Sequence, residues 1–204
     1  MKIWILSFSL LFSWLTGFAQ RDTGKNFRLG FTVSPNIGWM TFPAANPSYK
    51  SNGSEPGYAY GIMGDFGFSD NYYFSSGLTL TTMSANVSVA LPQGSGNFTY
   101  KIQYAEIPLT LKLKSSLRND SRLYGQFGLD AGVKVSAKHD ITELNVQNDV
   151  NLFRLGLLIG AGAEWKLKNT HLLTGVSYNN GFTNVFKNPA SKNSVATLNL
   201  GVFF

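Results

Sequence analysis

Most of this chain is written in a period of two. From Ala105 to Lys114 the odd positions are apolar (Ala105, Ile107, Leu109, Leu111, Leu113), and the even ones are Glu106, Pro108, Thr110, Lys112 and Lys114. Such alternation predicts a β-strand with one apolar and one charged face. A water-soluble sheet buries the apolar face. A barrel in a bilayer turns it outward against acyl chains and keeps the charges in its lumen.

The same period recurs along the chain. Phe27 to Met40 sets Phe27, Leu29, Phe31, Val33, Ile37 and Trp39 against Arg28, Gly30, Thr32, Ser34, Asn36 and Gly38. Gly57 to Phe68 predicts a second strand, Tyr72 to about Ala90 a third, and about Phe98 to Ser115 a fourth. Leu123 to Ser136, Phe153 to Lys166, Leu172 to Asn179 and Ala196 to Phe204 complete eight. Short turns are expected at Ser69-Asp70-Asn71, Leu117 to Ser121 and Lys168-Asn169-Thr170. Pro, Asn, Ser and Gly mark longer loops at Thr41 to Pro56, Leu91 to Asn97, His139 to Asn151 and about Asn184 to Asn193. An even strand count with short turns at one end and long loops at the other is the layout of a bacterial outer-membrane barrel.

In the fourth strand the apolar phase slips. Tyr100, Ile102 and Tyr104 occupy even positions, whereas Ile107 and Leu109 occupy odd ones. Either a β-bulge near Tyr104 to Glu106 absorbs the slip, a place where Pro108 would also be tolerated, or Tyr104 points inward beside Glu106 with no bulge.

The segment Tyr104-Ala105-Glu106-Ile107-Pro108-Leu109, followed by Leu111-Lys112, resembles the Tyr-Leu-Glu-Ile-Pro-Leu-x-x-Lys signature of PorT-type outer-membrane β-barrels, departing from it at Ala105. With the repeated glycine-rich alternation and the terminal Phe204, the resemblance spans essentially the whole chain. It implies an outer-membrane barrel similar to the small OmpA and OmpX type, some of whose relatives assist protein secretion.

Composition fits a membrane wall. The chain has 204 residues, enough for one domain, with 14% charged residues, 14% aromatics, 21 glycines and no cysteine. A chain without cysteine has no disulfide framework and no thiolate site. The formal charge of +6 is scattered along alternating strands at Lys112, Lys114, Lys134, Lys138 and Arg154, which argues against nucleic acid as a partner. Lys2, the apolar run Ile3 to Leu15 and Gly17-Phe18-Ala19 form a secretory signal. Cleavage after Ala19 gives a signal peptide over residues 1–19 and a barrel domain over 20–204. The run is shorter than the roughly 20 residues of a spanning helix.

The charged positions share a face with Gly30, Gly61, Gly77, Gly128, Gly132, Gly156, Gly160 and Gly162. Glycines make room for long side chains inside a narrow barrel and have no evident use on a soluble barrel's outer face, so the inverted arrangement is preferred to a lipocalin-like one. A lumenal ion-pair network is expected among Arg28, Asp65, Glu106, Lys112, Asp130, Lys134, Arg154 and Glu164, since buried charges persist when paired. The turn at Leu117 to Ser121 sets Glu106 opposite Gly132 and within diagonal reach of Lys134, with Lys112 or Arg154 as alternatives if the register differs by two. Two aromatic girdles are expected at the strand ends, including Trp39, Tyr58, Tyr60 and Tyr100 on the loop side and Phe68, Tyr72, Trp165 and Phe204 on the turn side.

Little here points to catalysis. His139 and His171 fall at opposite ends of the barrel, so neither a metal site nor a cofactor is expected. His139-Asp140 leaves a lipid-modifying enzyme as one alternative and a narrow solute channel as another. The expectation is an all-β, eight-stranded, antiparallel, up-and-down transmembrane barrel in the cell outer membrane, monomeric and non-enzymatic. Its lumen is filled by side chains. Its expected partners are outer-membrane lipid, the assembly machinery through Phe204, and a surface or secretion partner through the loops.

Overall fold

The structure is a computed structural model that describes residues 27–43, 49–91, 94–139, 150–187 and 190–204. The expected signal peptide and its cleavage site lie outside these residues. Eight strands follow in chain order: β1 Phe27–Thr41, β2 Tyr49–Gly67, β3 Tyr72–Leu91, β4 Gly94–Lys114, β5 Ser121–His139, β6 Phe153–Leu167, β7 Thr170–Gly181 and β8 Lys192–Phe203. Each pairs with its neighbours in sequence, and β8 returns to β1 to close the barrel. All eight pairings are antiparallel, from Phe27 opposite Phe66 in the first to Gly30 opposite Phe203 at the closure. Closure gives every strand two neighbours over the membrane-spanning part of the wall.

The turns carry the conformations that tight hairpins demand. Lys168 opens the two-residue connection between β6 and β7 at φ 53, as mirror-image hairpin turns require. Asn119 (φ 48) and Asp120 (φ 57) hold the β4–β5 turn, residue types whose short polar side chains tolerate the left-handed region.

The wall is inside out over most of its height. Leu29, Phe31, Val33, Ile62, Phe74, Leu109, Leu129, Ile159 and Leu200 are exposed, whereas Asp65, Glu106, Lys112, Lys114, Asp130, Arg154 and Glu164 are buried. Charged side chains inside and a continuous apolar surface outside fit a wall solvated by lipid.

Toward the loop end this arrangement reverses. Met40, Met83, Ala85, Val87, Ile102, Tyr104, Ala137, Val150, Val185, Phe186 and Val195 form a buried apolar cluster inside the barrel. The phase slip of β4 is therefore a change of surroundings. Ile102, Tyr104 and Glu106 all point inward, and β4 pairs with β3 without interruption from Thr79 opposite Glu106 to Leu91 opposite Gly94. No bulge sits in β4. The irregularity lies across from it, where Gln103 pairs with Ser136 and Tyr104 with Lys134, leaving Val135 of β5 as the extra residue.

Two expected loops prove much shorter. Of Thr41 to Pro56, residues from Tyr49 onward belong to β2, and of Leu91 to Asn97, residues from Gly94 onward belong to β4. Above the bilayer a strand has no lipid to face, so its sequence loses the alternation while its backbone stays paired. Two register shifts in β2, between Ser51 and Ser54 and between Ser54 and Tyr58, bend this upper ladder.

Candidate functional site

Two charge clusters fill the lumen. Near the turn end, Arg28 of β1 faces Asp65 of β2 and Arg122 of β5 faces Glu164 of β6, each as a directly paired residue. Lys114 joins the two halves, its Nζ 2.6 Å from Asp65 Oδ2 and 2.8 Å from Glu164 Oε2. Lys112 Nζ lies 2.8 Å from Asp65 Oδ1, and Arg122 Nη2 lies 2.7 Å from Glu164 Oε1. Arg28 reaches Asp65 Oδ2 at 3.2 Å and Glu164 Oε2 at 3.1 Å, and Ser75 donates to Asp65. His171 Nδ1 lies 3.0 Å from Glu164 Oε1.

Four side-chain cations against two carboxylates leave this cluster two positive charges in excess, before any charge on His171. Aromatic faces absorb the surplus. Lys114 Nζ sits 4.1 Å from the centre of the Tyr73 ring, and Arg28 Cζ sits 4.9 Å from that of Phe203, a residue with no exposed surface. Lys112 lies 5.4 Å from the Tyr124 ring. In a lipid-surrounded lumen the negative face of a ring stabilises a desolvated cation without adding a titratable acid.

The second cluster lies nearer the loops and has the opposite balance. Arg154 Nη1 donates to Glu106 Oε1 at 2.8 Å and to Asp130 Oδ2 at 3.1 Å, its Nη2 donates to Asn179 Oδ1 at 3.0 Å, and its Nε to Asn193 Oδ1 at 3.0 Å. One guanidinium thus serves two carboxylates. Gly132 makes the room, since a Cβ there would stand 3.0 Å from Glu106 Cγ and 3.5 Å from Tyr104 Cβ. Other glycines of the inner face do a different job: at Gly128 a Cβ would strike the Leu109 carbonyl oxygen at 2.1 Å, so that position serves close approach of β4 and β5.

Between the clusters is a chamber of about 140 Å³ lined in part by Thr32, Ser34, Thr79, Thr81, Gln126 and Asn199. Hydroxyl and amide walls of this kind hold water. The apolar cluster lies above it and the cation-rich cluster below it.

The structure brings together seven of the eight expected network residues, in two groups. Lys134 is the exception: Glu106 faces Gly132 and Lys134 stands diagonal to it, opposite Tyr104, as the register predicts, but its Nζ donates to the Val150 carbonyl at 2.6 Å. Glu106 is served by Arg154. Lys114 and Arg122 were missed as network members although both lie on the inward phase. Tyr73 and Phe203 were missed too, and their signal was a large ring at an inward position near several cations.

The girdles are paired rings. Tyr58 stacks on Tyr60 with centroids 6.3 Å apart, Trp39 on Tyr178 at 6.0 Å, and Phe68 lies 6.1 Å from Tyr72. Trp165 is exposed and donates from Nε1 to Thr174 Oγ1 at 3.1 Å. Phe204 is exposed, with its ring 5.8 Å from that of Phe31. Tyr100 does not belong to the girdle. It lies above the phase reversal, so it turns inward, 4.9 Å from the Phe186 ring and against the apolar cluster. The His139 side chain and Asp140 fall outside the described residues.

Residues 18–187 match the family described as outer membrane protein beta-barrel domain. The chain belongs to this family. Its place is the cell outer membrane, and its fold is the eight-stranded antiparallel barrel. Neisserial surface protein A shares that fold, with 15% identity, a TM-score of 0.53, and coverage of 87% of this chain and 95% of that one. OprG from Pseudomonas aeruginosa is similar at 14% identity and TM-score 0.49, covering 87% and 94%. Ail of Yersinia pestis, solved with the heparin analogue sucrose octasulfate, has 14% identity and TM-score 0.46, covering 88% and 99%. No curated protein matches the chain.

Proposed function

We propose that this barrel is a non-conducting, monomeric surface protein that acts by binding a partner outside the membrane, in the manner of PorT-type proteins, with assistance to secretion as the form that resemblance suggests. The observation that carries the proposal is the reversal of the wall above Tyr104. A strand pair that continues past the bilayer with its own buried apolar core is a rigid platform in water, and a rigid platform lowers the ordering cost of binding. The apolar cluster inside the upper barrel and the charged cluster below it support a non-conducting lumen. Phe204, exposed on the lipid face at the end of β8, suits recognition by the outer-membrane assembly machinery.

The test is site-specific photo-crosslinking in cells. A probe at Asn97 or Lys50, exposed positions on the upper ladders, is expected to trap a protein, whereas a probe at Leu129 on the lipid face traps none. Single-channel currents through the purified protein in planar bilayers, or an absence of protein adducts from both upper positions, would refute the proposal.

A further inference from the structure

The upper ladder of β2 contains a bulge. Ser51 faces Val87 of β3 and Ser54 faces Ala85, so Asn52 and Gly53 of β2 together stand against the single residue Asn86. Neither has a paired residue on β3, and the described pairing with β1 ends at Glu55. Gly53 takes φ 100, a conformation that suits glycine, and a Cβ built there would meet no atom within 4 Å. Both residues are exposed. The side-chain amide of Asn86 is engaged elsewhere, donating to Glu55 and accepting from Thr99.

The sequence holds one other Asn-Gly pair, Asn180-Gly181 at the end of β7, and it is held differently. Asn180 faces Leu157 of β6 on one side and Ser194 of β8 on the other, and Gly181 is buried opposite Gly156. Asn180 Oδ1 accepts a hydrogen bond from Ser194 Oγ at 3.3 Å. Asn180 is exposed too, so pairing and not access to water separates the two asparagines.

We propose that Asn52 is a site of spontaneous deamidation in the folded protein, and that Asn180 is spared. The Gly53 backbone nitrogen attacks Cγ of Asn52 and forms a C–N bond. The bond from Cγ to the side-chain nitrogen breaks, and that nitrogen leaves as ammonia, taking up the proton that the Gly53 N–H gives away. Water then opens the cyclic imide at either carbonyl, which leaves aspartate or isoaspartate; water is the only co-reactant. Ring closure requires ψ of the asparagine to turn until nitrogen and Cγ meet. A strand paired on both sides holds ψ at about +135°, where the two atoms stay apart. The bulge lacks those paired residues, and glycine adds no Cβ to obstruct the approach. The product replaces a neutral amide with a carboxylate on the upper ladder, and isoaspartate also lengthens the backbone by one carbon. An extra residue is already accommodated at Asn52, so no pair is lost there. At Asn180 the same change would disturb the pairing with both β6 and β8.

The test incubates the folded barrel in detergent at mildly alkaline pH beside the same chain unfolded in urea. Peptide mass spectrometry follows the gain of one mass unit at each asparagine, and fragmentation separates isoaspartate from aspartate. In the folded protein Asn52 is expected to convert at least about tenfold faster than Asn180, which must first leave two ladders. In urea the two rates should converge, because both asparagines precede glycine on an unpaired chain. The rate at Asn52 should rise with pH, since the attacking nitrogen must lose its proton. Asn52→Gln should show no gain at that position, because glutamine closes a larger ring slowly, and unboiled gels confirm that the variant is folded. Equal conversion of the two asparagines in the folded barrel, no conversion of Asn52 there, or a ratio that urea leaves unchanged would each overturn the proposal.

Discussion

Arg154→Met should destabilise the barrel far more than Glu106→Gln, although the two side chains form one ion pair. Arg154 donates to four different residues, and its side chain is 1% exposed. Removing it strands Glu106 and Asp130 together in a lipid-surrounded lumen and leaves the Asn193 acceptor short of its donor. Breaking a buried pair from one side costs about 3 to 5 kcal/mol. Glu106→Gln has the opposite effect on the balance: two carboxylates share one guanidinium, so neutralising one leaves a matched Arg154–Asp130 pair, and the amide still accepts a hydrogen bond. Its cost should stay near or below about 1 kcal/mol, one neutral hydrogen bond.

The double variant makes the argument sharp. On the Arg154→Met background, Glu106→Gln removes an uncompensated charge and should restore stability, giving a coupling of about 1 to 3 kcal/mol. Urea unfolding in phospholipid vesicles, followed by tryptophan fluorescence and by mobility on unboiled gels, measures all three variants. Equal costs for the two single changes, or additivity in the double, would refute the one-cation, two-carboxylate arrangement.

Leu129→Arg and Ile159→Arg, on the lipid face, should each cost about 2 to 4 kcal/mol in vesicle refolding, whereas Ser51→Arg on the upper part of β2 should stay within about 0.5 kcal/mol. Ile102→Ala should cost about 2 to 5 kcal/mol in the same assay, because Ile102 is 2% exposed inside the apolar cluster and not on the membrane surface. In the turn-end cluster the order of charge changes is reversed from that around Arg154: Glu164→Gln, which raises an existing positive surplus, should lower the urea midpoint more than Lys112→Met, which reduces it. Raising salt from about 0.05 to 1 M should leave the stability difference between wild type and Glu164→Gln nearly unchanged, since buried pairs are weakly screened.

The membrane-spanning part was legible because lipid imposes one rule on every outward side chain, and eight alternating segments record it. The upper ladders were not legible for the converse reason. From Tyr49 to Gly57 and from Ser84 to Asn97, water lies outside, so polar residues are tolerated on both faces and the pattern resembles loop. The slip at Tyr104 was visible, but its meaning depended on what surrounds the strand, which a one-dimensional pattern does not state. The pairing of Glu106 with Arg154 required the register of two successive strand pairs, Glu106 opposite Gly132 and Gly132 opposite Arg154, and the pattern of a single strand does not state it. The rings of Tyr73 and Phe203 stood on the inward phase all along. Without the count of four cations to two acids, they had no assigned work.

The geometry of the outward apolar band supports one further step. On β1 it runs from Phe27 to Ile37 and on β5 from Leu123 to Val135, and at about 3.3 Å per residue and a tilt near 40° these spans rise roughly 25 and 30 Å. Both match the height of the apolar belt of a membrane barrel. β3 and β4 then continue to Leu91 and Gly94, whereas β6 and β7 stop at Phe153 and Gly181, near the top of that belt. Among the described residues the platform above the membrane is therefore one-sided, with the strands of β2 to β4 rising higher than those of β6 and β7. A partner approaching from outside meets the taller ladders on one side. Crosslinks that mapped to the β6–β7 side as densely as to β2–β4 would contradict this asymmetry, because among the described residues the taller paired ladders stand over β2 to β4.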